Sequence, residues 1–124
     1  MAAAIPVVRG DIVLVDLSGA LGDEKNNAAS LGARPCVIIQ NNAGNKYRSV
    51  TIVAPITDGA TYKNYPQQVF VTAKEISGPK DSVIECAQLR TIDQNKRIKK
   101  LLGKVAPDVI PRINAALKAS LDLQ

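Results

Sequence analysis

The sequence predicts a mainly β domain of the α+β class, in which short strands form a small barrel and a C-terminal amphipathic helix packs against it. Six short apolar runs rich in Val and Ile recur along the chain, and clusters of Gly, Asn, Asp and Pro separate them. Near the C-terminus the spacing of apolar residues changes to three and four. A chain of 124 residues is long enough for one core but not for two, so residues 1–124 are expected to form a single domain.

The apolar runs give the expected strands in order. The first strand begins at Gly10 and ends at Leu17, and a long connection, residues 18–33, follows it. A loop of this length in a small domain is either functional or disordered, and the sequence leaves both alternatives open. The later runs cover residues 36–39, 52–56, 69–71, 83–84 and 89–92.

The second and third runs are arranged as an antiparallel hairpin would be. Arg34 opens one run, Thr57 closes the other, and the turn-rich residues 41–45 lie between them. Facing residues of such a hairpin share a constant sum of residue numbers. The sum for Arg34 and Thr57, 91, centres the turn beside Gly44, where a left-handed backbone is tolerated. The two side chains would then face each other with Cβ atoms roughly 5 Å apart.

A guanidinium group beside a hydroxyl group suits the binding of one phosphate, because it combines several donors with a permanent positive charge. A purely structural interpretation fits the spacing at least as well. In that interpretation Arg34 caps the end of a strand beside an ordinary strand threonine. The hairpin therefore defines a candidate site, and spacing alone leaves its role open.

The C-terminal helix is predicted by an apolar stripe and by the residues of its first turn. Asp108 stands at the expected N-cap position, and Pro111 falls within the first turn, where its missing N–H costs little. The stripe is expected to pack against the core rather than to bind a partner. It consists of Ile110, Ile113, Leu117 and Leu121.

The net charge of +5 is concentrated in residues 90–104. Charge gathered in this way attracts polyanions such as nucleic acid or an acidic protein segment, although a solvated surface explains it equally well. The six cations of the segment are Arg90, Lys96, Arg97, Lys99, Lys100 and Lys104, and its one carboxylate is Asp93, so the rest of the chain carries no net charge.

The chain contains no histidine, which removes the commonest group for acid–base catalysis and metal binding near neutral pH. Its carboxylates are scattered, with only Asp23 and Glu24 adjacent, so neither a metal site nor a cofactor is predicted. An enzyme built on this chain would depend on positioning and on electrostatic stabilisation.

Cysteine usage and the short apolar runs bear on location. Cys36 and Cys86 lie in or beside strand-like runs, which favours buried thiols over a disulfide or a metal site. The longest apolar runs have four or five residues, far fewer than a membrane span needs. Residues 1–6 lack the basic and apolar regions of a signal peptide. A cytoplasmic protein without membrane contact is therefore expected.

Five stretches, in order along the chain, resemble a known family. They resemble its opening strand, the Gly-x-Glu of its first loop, its Arg-Pro strand, the strand that ends in its active-site threonine, and its late strand with the residues that follow. The family is the MazF/PemK/Kid family of toxin endoribonucleases. The corresponding residues are 9–18, 22–24, 34–41, 51–57, and 81–84 together with 88–93.

The resemblance implies an SH3-like barrel, a homodimer, a cognate antitoxin that blocks the toxin, and metal-free cleavage of single-stranded RNA inside short sequence motifs. It implies that Arg34 and Thr57 are catalytic, the same pair that the hairpin register places face to face. Glu24 would lie on the loop over the site as a candidate for acid–base catalysis. The residues that would contact RNA are Asn41, Gln88 and the segment after Thr57, including Tyr65 and Pro66.

The chain also departs from the family pattern. The loop of residues 18–33 is longer than usual, and Gly19 stands where the family often has a proline. The Kid branch has been assigned an Arg and an Asp in its late strand, where this chain has Glu85 and Ala87. Only the Arg–Thr version of the mechanism can therefore be carried over.

One alternative belongs to a different functional class. A related toxin type, CcdB, shares this barrel but binds DNA gyrase and catalyses nothing, so the fold alone cannot separate the two. The pair Arg34 and Thr57 favours the nuclease, because a gyrase binder has no need of a phosphate-binding group.

Overall fold

The computed structural model describes residues 4–124. Residues 1–3, which the sequence analysis included in the expected domain 1–124 and in the N-terminal segment 1–6, lie outside it. Within residues 4–124 the chain forms seven β-strands, three α-helices, and 3-10 turns at Gly59–Thr61 and Lys74–Ile76. The mainly β, α+β class predicted from the sequence is confirmed. The strands are β1 (Asp11–Val15), β2 (Arg34–Ile38), β3 (Val50–Asp58), β4 (Gln68–Val71), β5 (Ser82–Glu85), β6 (Arg90–Asp93) and β7 (Ile98–Lys104), and the helices are α1 (Asn42–Tyr47), α2 (Gln94–Arg97) and α3 (Val109–Leu121).

The sheet is organised around β3, its longest strand. The order is β4-β5-β3-β2-β1-β7, and β6 also pairs with β3. All the pairs are antiparallel. The first half of β3 pairs with β6 and its last three residues pair with β5, while the middle of the strand pairs with β2. No pairing within the described residues joins the two outermost strands, β4 and β7, so the SH3-like barrel is open at that seam.

The register of β2 and β3 is the one predicted from the sequence. The observed pairs are Cys36 with Pro55, Val37 with Ala54 and Ile38 with Val53, and each has a residue-number sum of 91. Continued by two residues, this register sets Arg34 opposite Thr57. The hairpin arithmetic is therefore confirmed for the strands.

The connection between β2 and β3 differs from the prediction, because it is the helix α1 rather than a tight turn. The Asn41 side chain caps α1 by accepting a hydrogen bond from the Gly44 N–H at 2.8 Å. Gly44 is helical and not left-handed. A Cβ at Gly44 would lie 2.8 Å from the Gln40 side chain, so close packing explains this glycine better than turn geometry does.

Strand β7 was not predicted, and its pattern explains why. It pairs only with β1, and two register shifts leave Lys99 and Leu102 as extra residues in the strand. Five of its seven residues are exposed, so it lacks the alternation of buried and exposed positions that marks a strand in the sequence. The basic segment of residues 90–104 thus consists of β6, α2 and β7.

Two apolar cores lie on the two faces of the sheet. Because side chains alternate along a strand, neighbouring residues enter different cores. The helix-side core contains Ile12, Val37 and Ala54, together with Val109 and Ile113 of α3. The second core contains the sequence neighbours of Ile12, Val37 and Ala54 on the same strands, namely Val13, Cys36 and Val53. It also contains Val15, Leu17, Ile38, Ile92 and Ile98.

Helix α3 occupies the predicted place, and three residues of the predicted stripe, Ile110, Ile113 and Leu117, pack against the helix-side core. Its buried residues are Val109, Ile113 and Ala116, whereas Leu121 is 54% exposed. Asp108 precedes the helix but makes no side-chain cap. Across residues 4–124 we find no helix with the length and apolar character that crossing a bilayer requires.

A buried polar network fixes the link between β2, α1 and β3. The Asn45 amide oxygen accepts hydrogen bonds from Thr51 Oγ1 at 2.6 Å and Gln40 Nε2 at 3.1 Å. Its amide nitrogen donates to the Gln40 carbonyl at 2.9 Å. The two hydrogens of Gln94 Nε2 are shared among three backbone carbonyls of the same link, with the shortest contact to the Arg48 carbonyl at 2.9 Å. Asn45 is only 5% exposed, so these bonds replace water that it cannot reach.

We expect Asn45→Ala to lower the free energy of unfolding by about 2–3 kcal/mol, because it leaves buried partners of Asn45 without a hydrogen bond. Chemical denaturation followed by circular dichroism would measure the loss. Asn26→Ala is the matched control, since Asn26 is exposed and contributes only its backbone carbonyl. Equal stability of Asn45→Ala and the control would contradict a stabilising role for the network.

Candidate functional site

Arg34 is the first residue of β2, and its guanidinium group is held in place by two backbone carbonyls. Nε donates to the Asn26 carbonyl at 2.7 Å, and Nη1 donates to the Ile56 carbonyl at 3.0 Å. Nη2 has no hydrogen-bond partner within residues 4–124. The side chain is half-buried, so the charge is oriented by the protein while one side of its fork remains open.

Thr57 lies near the end of β3, where it pairs with Val83 of β5. It is 6% exposed, and its Oγ1 lies 3.0 Å from Thr61 Oγ1. Thr61 Oγ1 in turn donates to the Asp58 carbonyl at 2.7 Å. The hydroxyl of Thr57 is therefore engaged by the turn Gly59–Thr61, which begins two residues after it.

Arg34 and Thr57 are brought together by the sheet. Both line a cavity of about 470 Å3, whose walls also include Leu31, Ile76 and Lys80. The two side chains are not hydrogen-bonded to each other in the part of the chain that the structure describes. A charged donor group and a hydroxyl group thus border one cavity without forming a hydrogen bond to each other.

Glu24 lies on the long loop, exposed to solvent, and its carboxylate is partly engaged. Glu24 Oε1 accepts from the Leu21 N–H at 2.7 Å, and its own N–H donates to the Leu21 carbonyl at 3.0 Å. These bonds close a compact turn. They leave Glu24 Oε2 without a protein partner among the described residues.

Gln88, predicted to contact RNA, holds the backbone on both sides of Glu24. Gln88 Oε1 accepts from the Lys25 N–H at 3.1 Å, and Nε2 donates to the Asp23 carbonyl at 3.2 Å. Glu24 and Gln88 line a second cavity of about 230 Å3. In this structure the amide of Gln88 positions the loop.

The two cavities share no lining residue, so Glu24 is not in the same cavity as Arg34 and Thr57. They are nevertheless neighbours. Cys36 and Pro55 line the smaller cavity, and they are the next pair on the same sheet face as Arg34 and Thr57, roughly 7 Å further along the strands.

The base of the loop is fastened by Asp16 and Asn27. Asp16 Oδ1 accepts from Asn27 Nδ2 and from the Ser18 N–H, each at 2.9 Å, and Asn27 Oδ1 accepts from the Leu17 N–H at 2.6 Å. The hydrogen bond from Asn27, followed by that from Ser18, lowers the pKa of Asp16 to about 2. The loop that carries Glu24 is therefore ordered by specific polar contacts, which settles one alternative that the sequence left open.

Two of the six cations of residues 90–104 also serve the loop. Arg90 donates to the carbonyls of Leu17 and Ser18, and Arg97 donates to those of Asp16 and Ser18. These two arginines therefore hold the loop in place. The four lysines of the segment remain exposed and account for its accessible positive charge.

The other predicted RNA contacts are spread over the surface. Asn41 caps α1 at the far end of the β2–β3 pair, seven residues and roughly 20 Å from Arg34. Tyr65 and Pro66 are exposed in the segment that leads from Thr57 to β4, and the Tyr65 ring is 51% exposed. The structure thus groups Arg34 with Thr57 and Glu24 with Gln88, and leaves Asn41 apart.

Both cysteines are free and fully buried, as the sequence predicted. Burial raises the pKa of the Cys36 thiol and of the Cys86 thiol to about 12. Although Cys36 lies two residues from Arg34, it is therefore a core residue and not a nucleophile.

Sequence reasoning missed Asp16, Asn27 and Thr61. A weak signal was available for the first two, because Asp and Asn favour local hydrogen bonds to backbone N–H groups in loops. Thr61 follows Thr57 by four residues across Asp58 and Gly59, a spacing typical of a tight turn. None of these signals indicates which partner the side chain binds.

Comparison with known proteins shows which family this sequence matches. A model of the family described as PemK-like, MazF-like toxin of type II toxin–antitoxin system matches residues 8–121. The chain is 43% identical over 115 residues to the Endoribonuclease MazF of Staphylococcus epidermidis. That alignment covers 93% of this chain and 91% of the relative.

Solved structures share the fold. An endoribonuclease in complex with its cognate antitoxin, from a mycobacterial species, superposes with a TM-score of 0.75 at 23% identity and covers 95% of this chain and 97% of its own. MazF from Deinococcus radiodurans gives a TM-score of 0.71 at 22% identity, with 94% and 96% covered. At these identities the likeness concerns the fold.

We expect the contribution of Asp16 to stability to depend on pH. Because its pKa is lower in the folded state, the contribution is complete above the unfolded value near 3.8 and is lost as the pH falls towards about 2. Wild-type protein should therefore be more stable than Asp16→Asn at pH 7, and the difference should shrink between pH 4 and pH 2.

Denaturant unfolding at a series of pH values would measure this difference. Asp23→Asn is the control, because the Asp23 carboxylate accepts no hydrogen bond within the described residues. A wild-type advantage over Asp16→Asn that stays constant down to pH 2 would show that the carboxylate is not held as described.

Proposed function

Because this chain belongs to the family of PemK-like, MazF-like toxins of type II toxin–antitoxin systems, we propose that it is an endoribonuclease that cuts single-stranded RNA without a metal ion. The observation that carries the proposal is that Arg34 and Thr57 line one cavity, where the β2–β3 register, continued two residues beyond the observed pairs, sets them opposite each other. RNA supplies its own nucleophile, the 2′-hydroxyl, so the protein needs mainly to align it and to stabilise the charge that develops on the phosphate.

Arg34 is suited to hold the scissile phosphate. Its bonds to the Asn26 and Ile56 carbonyls use Nε and one hydrogen of Nη1, which leaves the Nη1–Nη2 end of the fork for two phosphate oxygens. A guanidinium group offers several N–H donors in a planar fork that matches the oxygens of a phosphate. Since its orientation is set before the substrate arrives, little ordering is required on binding.

Thr57 is proposed to donate its hydroxyl hydrogen to a further oxygen of the same phosphate. A preorganised donor directed at a developing negative charge contributes about 3–4 kcal/mol to transition-state stabilisation. The low exposure of Thr57 strengthens this effect, because competing water is largely excluded from the hydroxyl.

Glu24 is proposed as the group that takes the proton of the 2′-hydroxyl when the loop moves over the site. In the step itself the 2′-oxygen loses its proton to Glu24 and forms a bond to phosphorus, the bond from phosphorus to the 5′-oxygen breaks, and the 5′-oxygen takes a proton from water. The products are a 2′,3′-cyclic phosphate and a 5′-hydroxyl. Glu24 Oε2 has no protein partner among the described residues and is the atom suited to this task.

RNA binding outside the cleavage site is proposed for Tyr65, Pro66, Gln88 and Asn41. An exposed ring such as that of Tyr65 can stack on a base, which is worth roughly 1–3 kcal/mol. Gln88 holds the loop backbone with one hydrogen of Nε2 and one lone pair of Oε1, so contact with RNA would use the second hydrogen or the second lone pair.

The proposal extends to partners. A structural relative is described in complex with its cognate antitoxin, and we infer that this chain is likewise neutralised by a cognate antitoxin and acts as a homodimer on cytoplasmic RNA. The matching family model and the named relative are MazF-like, which favours the nuclease over the CcdB-like gyrase inhibitor.

We expect Thr57→Val to lower the cleavage rate by about 10²–10³-fold and Arg34→Ala by at least as much, because each removes a donor to the phosphate. Arg34→Lys should also be severely impaired, since an ammonium group cannot replace the two-pronged fork. The measurement is single-turnover cleavage of a single-stranded RNA by purified, folded variants. Arg48→Ala, an exposed arginine at the other end of the β2–β3 pair, is the matched control. Wild-type rates in either folded variant would remove that residue from the proposed catalytic pair.

We expect cleavage to persist in EDTA and to stop when the nucleotide on the 5′ side of the scissile phosphate lacks its 2′-hydroxyl, because that hydroxyl is the proposed nucleophile. Binding of the 2′-deoxy substrate should survive. Fragment ends are identified by mass spectrometry, with the all-ribose oligonucleotide as control. Cutting of the 2′-deoxy substrate, or inhibition of normal cleavage by EDTA, would contradict the mechanism. Gyrase inhibition without any RNA cleavage would favour the CcdB-like alternative.

A further inference from the structure

The hydroxyl of Thr57 belongs to a short relay whose favoured direction follows from the acceptor at its end. Thr61 Oγ1 donates to the Asp58 carbonyl at 2.7 Å, and a carbonyl oxygen can only accept. A hydroxyl group has one hydrogen to donate. In the 3.0 Å contact between Thr57 Oγ1 and Thr61 Oγ1 the donor is therefore Thr57. In the free protein its hydrogen points at Thr61.

Thr61 lies in a turn that hydrogen bonds and close packing hold in place. The turn Gly59–Thr61 is capped by Asp58 Oδ1, which accepts from the Ala60 N–H at 2.9 Å. The Gly59 N–H donates to the Asp81 carbonyl at 3.1 Å, and a Cβ at Gly59 would lie 2.9 Å from that carbonyl oxygen. The turn is thus pressed against the start of β5, with no room for a larger residue at Gly59.

The same geometry allows the relay to reverse. When Thr57 turns its hydrogen towards a phosphate oxygen, it no longer donates a hydrogen bond to Thr61 Oγ1. Thr61 can then rotate its hydrogen from the Asp58 carbonyl to Thr57 Oγ1, a distance already suited to a hydrogen bond. A hydroxyl that accepts a hydrogen bond is a better donor, because bonds in a chain polarise one another.

We propose that Thr61 is a positioning residue for Thr57, an inference that depends on the function proposed above for that hydroxyl. Thr61 fixes the rotamer of Thr57 in the free protein and supplies the hydrogen bond that strengthens Thr57 as a donor to the phosphate. The nearly buried state of Thr57 makes this contact important, because water has little access to take the place of Thr61.

The test compares Thr61→Val, which keeps the shape and removes the hydroxyl, with Thr61→Ser, which keeps the hydroxyl. We expect Thr61→Val to lower kcat about three- to tenfold with KM changed less than twofold, and Thr61→Ser to stay within twofold of wild type. In the double variant Thr57→Val/Thr61→Val the rate should match that of Thr57→Val alone, because the relay acts only through Thr57. Thermal unfolding verifies that each variant is folded, and Thr61→Ala replaces Thr61→Val if the latter is not.

The outcomes separate the two proposals. If Thr57→Val is impaired but folded Thr61→Val keeps the wild-type kcat, or if the two effects multiply in the double variant, Thr61 is only a structural part of the turn and the present inference is wrong. If Thr57→Val itself cleaves at the wild-type rate, the proposed role of Thr57 is wrong and the inference falls with it.

Discussion

The whole site depends on the way β3 uses both of its edges. Its middle residues are bonded to β2 on one edge, while β6 and then β5 occupy the other edge in succession. A one-residue slip of this strand would send every side chain to the opposite face, and two buried cores make such a slip prohibitive. The same constraint that separates Val53 from Ala54 into different cores therefore fixes the position of Thr57 relative to Arg34. Precise placement of the pair follows from the burial of residues that take no part in its chemistry.

The second level of organisation is polar and local. The loop of residues 18–33 contributes one buried apolar residue, Ala33, to the core, and side-chain hydrogen bonds to backbone groups give it its shape. Gln88 and Asn27 each bind two groups, and Arg90 and Arg97 converge on one carbonyl at Ser18. Such contacts open at a lower free energy than the packed strands do, which is compatible with the loop movement proposed above. Arg34 and Thr57 are thus held by the packed sheet, whereas Glu24 lies on a loop that polar contacts hold in place.

The parts of this arrangement that the sequence could predict are those governed by periodicity. Apolar runs located the strands, and a constant sum of residue numbers correctly aligned β2 with β3. The α1 connection was missed because Gly44 and the asparagines around it suit a turn as well as a capped helix. Strand β7 was missed because its two bulges and its lysines remove the alternation. The contacts of Arg34 with Asn26, and of Gln88 with Asp23 and Lys25, join groups whose proximity depends on the final path of the loop, so no local pattern could reveal them.

The open seam between β4 and β7 has a consequence for behaviour at high concentration. An unpaired strand edge can recruit a strand from another molecule and start aggregation. On the β4 side of the seam, Arg112 of α3 donates to the Phe70 carbonyl at 2.8 Å and is ion-paired with Glu75. This contact occupies a backbone group on the edge of β4. On β7 the bulges at Lys99 and Leu102 and the exposed lysines interrupt the regular row of backbone groups that a foreign strand would need. The chain can therefore keep an incompletely closed barrel without exposing a template for fibril growth.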